Sequence, residues 1–126
     1  MGSPIVLSSG AALEYIGRRF GGPVETVKNP LGDALTVGLA ATRIAPFDAE
    51  RVQLTLINLS VNEMFVLPGS DVSTTKGVRI GPNGGGVSFN VDQDGWLPCE
   101  EYHAVATVAG SAVLVMGCKR TTRFRT

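Results

Sequence analysis

From position 34 onward, apolar and polar residues alternate along much of the chain. Leu35, Val37, Leu39 and Ala41 alternate with Thr36, Gly38, Ala40 and Thr42, and Val52, Leu54 and Leu56 alternate with Gln53 and Thr55. The clearest period of two runs through Val87, Phe89 and Val91, with Ser88, Asn90 and Asp92 between them. Side chains of an extended chain point to opposite faces in turn, so these runs predict half-buried strands with Val87, Phe89 and Val91 facing inward. "EMFVL" and "GVRI" add two more strands, and "YHAVATV" and "AVLVMGC" flank Ala109-Gly110-Ser111, a connection suited to a hairpin. Turn residues separate the runs: Pro46, Asn58, Pro68-Gly69, Pro82-Asn83-Gly84 and Asp94-Gly95.

Many short strands with Gly and Pro turns predict an all-β fold, a β-sandwich or a jelly-roll-like barrel. Sustained helical patterns between the strands are missing, which argues against an α/β arrangement.

Residues 1–34 read differently. Pro4, Gly10, Gly17, Gly21-Gly22-Pro23 and Asn29-Pro30 interrupt any period. Only "AALEYIGRRF" suits a short helix, with Ser9 as N-cap and Gly21 as its stop, and such a helix needs a surface to pack on. The expected organisation is an extended N-terminal arm over 1–34, a β-sandwich over 35–118, and a basic C-terminal tail over 119–126.

Composition fits one domain with its own core: 126 residues, 44% of them hydrophobic. Charged residues are scarce at 17%, and eleven basic residues cancel eleven acidic ones. Low charge with no net charge gives weak electrostatic protection against self-association, so a surface covered by other copies or by a host is expected. The apolar runs, "GSPIVLSSGAAL" and "AGSAVLVMGC", suit neither a signal peptide nor a membrane span.

The candidate sites carry little chemistry. "GPNGGG" (81–86) leads into a strand and lacks the Lys-Ser/Thr ending of a phosphate loop, so its glycines read as turn geometry. Asp92 and Asp94 echo the start of a calcium loop, but position twelve from Asp92 is His103 and not Glu. The reading left is a turn at Asp94-Gly95 with Trp96 as an anchor, or a surface cation contact. Glu100 and Glu101 are adjacent in extended chain and make a poor catalytic couple. Cys99 and Cys118 lack CxxC spacing, and spacing alone does not decide whether they pair; two free thiols are expected of a protein made in the cytoplasm. His103 is the single histidine, set on the strand face opposite Ala104 and Ala106. No catalytic residue, cofactor site or metal site is expected, and no small-molecule substrate. Lys119, Arg120, Arg123 and Arg125 crowd the carboxyl end beside Phe124, a set that suits docking onto acidic groups better than nucleic-acid recognition.

From "RVQLTLINLS" through "EMFV", "DVSTTKGVRI", "GPNGGGVSF" and the Trp-bearing turn to "YHAVAT", the chain resembles the small β-rich structural proteins of tailed bacteriophages. The likeness covers roughly residues 51–118 and is one of strand and turn types. It implies a non-enzymatic virion protein made in the host cytoplasm, a homo-oligomer (a trimer is favoured) docked on the major capsid protein or another virion protein. Head decoration or cementing is the leading expectation, with neck or tail work next. A carbohydrate or host-recognition module is the alternative from another class, and it requires Trp96 exposed at the rim of a groove beside Asp92 or Asp94.

Overall fold

A computed structural model describes residues 24–33 and 35–120 of the chain. The strands are β1 (Val24–Lys28), β2 (Thr36–Val37), β3 (Thr42–Ala45), β4 (Arg51–Asn58), β5 (Met64–Pro68), β6 (Val78–Ile80), β7 (Gly86–Asn90), β8 (Tyr102–Ala106) and β9 (Ser111–Arg120). A four-residue helix, α1 (Val91–Asp94), and a 3-10 turn (Leu97–Cys99) lie between β7 and β8. The architecture is all-β, in two antiparallel sheets. One has the order β1-β9-β4-β7, with β2 pairing the start of β9; the other has the order β3-β8-β5-β6. Neither sheet closes into a barrel, so that half of the expectation is set aside.

The two sheets share one core. Leu54 and Leu56 of β4 and Val113 and Val115 of β9 meet Ile44, Met64, Val66, Ile80, Tyr102, Ala104 and Ala106 from the other sheet. Burying each large aliphatic side chain contributes about 1.5–3 kcal/mol. Val87 and Phe89 pack against the edge of this core, as their alternation predicts, and Phe89 stacks on Tyr102 with ring centroids 5.5 Å apart. Tyr102 hydrogen-bonds its hydroxyl to the Leu97 carbonyl at 2.8 Å, and burial pushes its phenol well above the ordinary range.

Several expectations are corrected. Val91 is not in the strand; it opens α1, because the Asn90 side chain accepts a hydrogen bond from Gln93 N and starts a helical turn there. The alternation from Leu35 to Thr42 is not one strand either: β2 is two residues long, a bend follows, and Leu39 is exposed. "YHAVATV" and "AVLVMGC" do not form a hairpin. β8 pairs with β3 and β5 while β9 pairs with β1, β2 and β4, so Thr107–Gly110 carries the chain from one sheet to the other. The period of two was right for each strand and silent about its partner.

Pairing begins ahead of position 34, since β1 lies within the segment read as an arm and runs antiparallel to Met116–Arg120 of β9. The expected helix over "AALEYIGRRF" and the last six residues lie outside the described residues.

Candidate functional site

The two ends of the molecule differ in chemistry. At one end the loops after β2, β4 and β8 are tied together by backbone hydrogen bonds: Ala106 N to Gly38 O, Thr107 N to Glu63 O, and Leu59 N to Ala112 O. The joint is Asn58, which is fully buried. Its amide nitrogen donates to Asn62 O at 2.6 Å and Ile80 O at 3.1 Å, and its Oδ1 accepts from Ser60 N at 2.9 Å and Ser60 Oγ at 2.7 Å. Its backbone bonds Gly84 and Gly85, closing the turn in which Asn83 and Gly84 take positive φ. On this fixed platform stand Leu39, Leu59, Val61 and Val108, each between 50% and 75% exposed.

The opposite end holds a groove of about 440 Å³ whose lining includes Arg51, Val52, Asp92, Trp96, Cys99 and Arg120. Trp96 is 74% exposed, which overturns its expected place as a core anchor. The cause is local: Gly95 at φ 62 ends α1, and Pro98 in the following 3-10 turn fixes the chain so that Pro98 and Cys99 are buried in place of Trp96. Asp94 is a structural group, because its carboxylate accepts a hydrogen bond from Asn90 N at 2.9 Å and closes the helix start. Asp92 alone of the pair lines the groove.

Beneath the groove, Arg51 is buried. Nε donates to Pro98 O at 2.6 Å, and Nη2 donates to Pro46 O and Glu100 O, both at 2.9 Å. Desolvation lowers its pKa, and nearby Asp48 works against that shift. Arg51 therefore fastens the β3–β4 loop to the 3-10 turn, with its charge held among backbone carbonyls. Cys99 sits against it, donating to Arg51 O at 3.1 Å, and burial pushes the thiol up. A thiol so placed is a structural group and not a nucleophile.

The remaining sequence candidates do not converge. His103 faces outward on β8 beside Glu101 at 3.8 Å, and Glu101 also pairs with Arg43 at 3.6 Å. Cys99 points instead to β4, so the two do not form a couple. Both cysteines are free, and among the described residues no cluster of His, Cys, Asp and Glu is suited to a metal. Glu100 contributes its carbonyl to Arg51, while Glu101 turns to the other side. Lys119 and Arg120 pair with Asp48 at 3.6 Å and Glu50 at 2.9 Å, so the basic end begins inside the fold's own ion pairs. No helix among the described residues is long and apolar enough to cross a membrane.

Comparison with family models, curated proteins and solved structures returns no match. The geometry stands alone.

The sequence reading missed Asn58 and Arg51 as structural centres. A signal existed for the first: Asn58 continues the inward phase of Val52, Leu54 and Leu56, and a polar residue in that phase must find partners inside. For Arg51 the signal is broken by a bulge between Arg51 and Gln53 opposite β9, which buries both Arg51 and Val52.

Proposed function

We propose that the chain is a virion structural protein that acts by assembly, docking to other copies and to a particle as a small two-sheet sandwich. The observation that carries this reading is the end bearing Leu39, Leu59, Val61 and Val108, four solvent-facing aliphatic side chains on loops cross-tied by hydrogen bonds. Contiguous exposed apolar surface marks an interaction site, and covering each of these side chains stabilises a complex by roughly 1 kcal/mol or more. Preorganised loops keep the entropic cost of docking small. Low charge density and zero net charge fit a surface destined to be covered. The resemblance of residues 51–118 to phage structural proteins supplies the setting, with head decoration ahead of neck or tail.

Light scattering on the purified chain and on V61D tests the reading. The expected result is an oligomer, with a trimer favoured, that V61D dissociates into a monomer that still unfolds cooperatively. A monomer at every concentration that also fails to sediment with particles overturns it.

A second reading, carbohydrate or host recognition, is favoured by one observation: Trp96 stands exposed in the lining of a groove that Asp92 shares. An aromatic face beside a carboxylate suits the apolar face and hydroxyls of a sugar ring. Trp96 is the chain's single tryptophan, so its fluorescence reports on this groove alone. Saturable quenching or a blue shift with oligosaccharides, lost in D92N, would establish it; a flat titration across neutral and acidic sugars would remove it.

A further inference from the structure

Arg51 carries hydrogen-bonding capacity that the fold does not use up. A guanidinium has several N–H donors in a fixed fork and keeps its charge in any ordinary buffer. The residue is only 4% exposed, and its bonds to Pro98 O, Pro46 O and Glu100 O engage Nε and Nη2. Among the described residues Nη1 has no hydrogen-bond partner, and no carboxylate lies within ion-pair distance of the guanidinium. Asp48, whose charge is felt at Arg51, is turned instead to Lys119 Nζ at 3.6 Å and to Glu50 N at 2.9 Å. Carbonyl dipoles offset part of the cost of burying this charge, and an anion in contact offsets more.

Nη1 is not sealed in. Among the described residues, the side-chain polar atom closed off without a partner is His103 Nδ1, so Nη1 keeps an opening onto the space that Arg51 borders. That space comprises the groove of about 440 Å³ beside Trp96 and a second cavity of about 210 Å³. Small-molecule sites run from ~300 to ~1,000 Å³, which admits the groove and not the second cavity. The charges of the second cavity are also spoken for, since Asp48 and Lys119 in its wall pair with each other. The groove joins Val52, Val91 and the exposed Trp96, an apolar surface around a buried cation.

We infer that the groove is a site for a carboxylated sugar, a hexuronic acid unit, whose carboxylate accepts hydrogen bonds from Arg51 Nη1 while its ring lies on Trp96. The inference rests on the second reading of this groove and narrows it to acidic sugars; it is independent of assembly. A neutral hexose satisfies Trp96 and Asp92 and leaves the charge of Arg51 unanswered. A carboxylate answers that charge through charge-assisted bonds, which are roughly twice as strong as neutral ones. Arg120 lines the same groove but is paired with Glu50 at 2.9 Å, so Arg51 is the cation that receives the ligand. Its fork is held rigid by the three carbonyls, and little entropy is lost when the ligand binds.

Trp96 fluorescence, titrated on the full chain with trigalacturonic acid and with its methyl ester, isolates the carboxylate. The acid is expected to bind on the order of ten- to a hundredfold more tightly than the ester, the worth of a hydrogen bond to a charged group. Equal affinity of acid and ester overturns the proposal and leaves the sugar reading of the groove standing. Phenylacetate binding more tightly than the acid also overturns it, because the carboxylate then belongs to an aromatic acid. A flat response to both sugar forms overturns it too, and neutral oligosaccharides then decide the second reading alone. In a chain carrying isotope-labelled arginine, the side-chain signal missing from R51K should shift with the acid and not with the ester. Shifts confined to other arginines overturn the assignment to Arg51. If R51K does not fold, the comparison of acid with ester on the unmodified chain decides the matter in either direction.

Discussion

Replacing Asn58 should cost more than any surface polar residue of this fold. In Asn58→Ala four side-chain hydrogen bonds disappear, each with a net value of about 0.5–1.5 kcal/mol. The Ser60 and Asn62 partners lie in a part-buried loop that water reaches. The Ile80 carbonyl is buried, and leaving it dry adds about 1–3 kcal/mol. The expected loss is about 3–5 kcal/mol, which for a domain of this size lowers the melting temperature by roughly 10–20 °C. Urea unfolding followed by tryptophan fluorescence and by circular dichroism measures it. Asn58→Asp separates hydrogen bonding from packing, because it keeps the shape and aims a carboxylate oxygen at two carbonyl oxygens. The folded form then favours the protonated acid, so the folded pKa lies above the unfolded value of about 3.9. Its destabilisation is therefore small below about pH 4 and grows as pH rises toward the folded pKa. A loss under about 1 kcal/mol for Asn58→Ala, or a pH-independent loss for Asn58→Asp, would refute the view that this residue ties the loops together.

Phe89→Ala should lose about 2–3 kcal/mol, below the full cost of a buried aromatic because Phe89 is only partly buried, whereas Ser88→Ala should change stability by less than about 0.5 kcal/mol; thermal melts of the two compare them directly. With a disulfide-exchange reagent at pH 8, Cys118 should react first, and Cys99 should react only as fast as the protein unfolds; two equally fast thiols would contradict the burial of Cys99. Gly117→Ala should be strongly destabilising in a melt, because a Cβ there would collide with the backbone carbonyl oxygen of Gln53.

What the sequence made legible was the content of each strand. The inward residues of β4 and β7 and the Asn83-Gly84 turn follow from period and turn chemistry, both local properties. Strand partners were not legible, because pairing depends on burial between segments far apart in the chain. Ala109-Gly110-Ser111 is compatible with a hairpin and equally with the sheet-to-sheet crossing it makes, since both demand only a tight polar turn. β1 carries no clear alternation because it stands at the end of the strand order in its sheet and its side chains are only half-buried or exposed. At the groove, Trp96 misled for the opposite reason. Size and apolarity argue for the core, but the backbone at Gly95 and Pro98 decided where the ring points.

The position of β9 in its sheet has a consequence for how the protein is made. β9 is the last of the described strands, yet it sits between β1 and β4 and also holds β2. Until Ser111–Arg120 emerges from the ribosome, β1 and β2 lack the strand they pair with, and the edge of β4 that meets β9 is bare. Chains grow at about 5–20 residues per second, so the nascent protein waits several seconds with its central slot vacant. Closing contacts this distant in sequence is slow compared with forming local turns. Folding is thereby timed by the synthesis of β9, and a chain that stops short of β9 never acquires the structure in which its loops can dock.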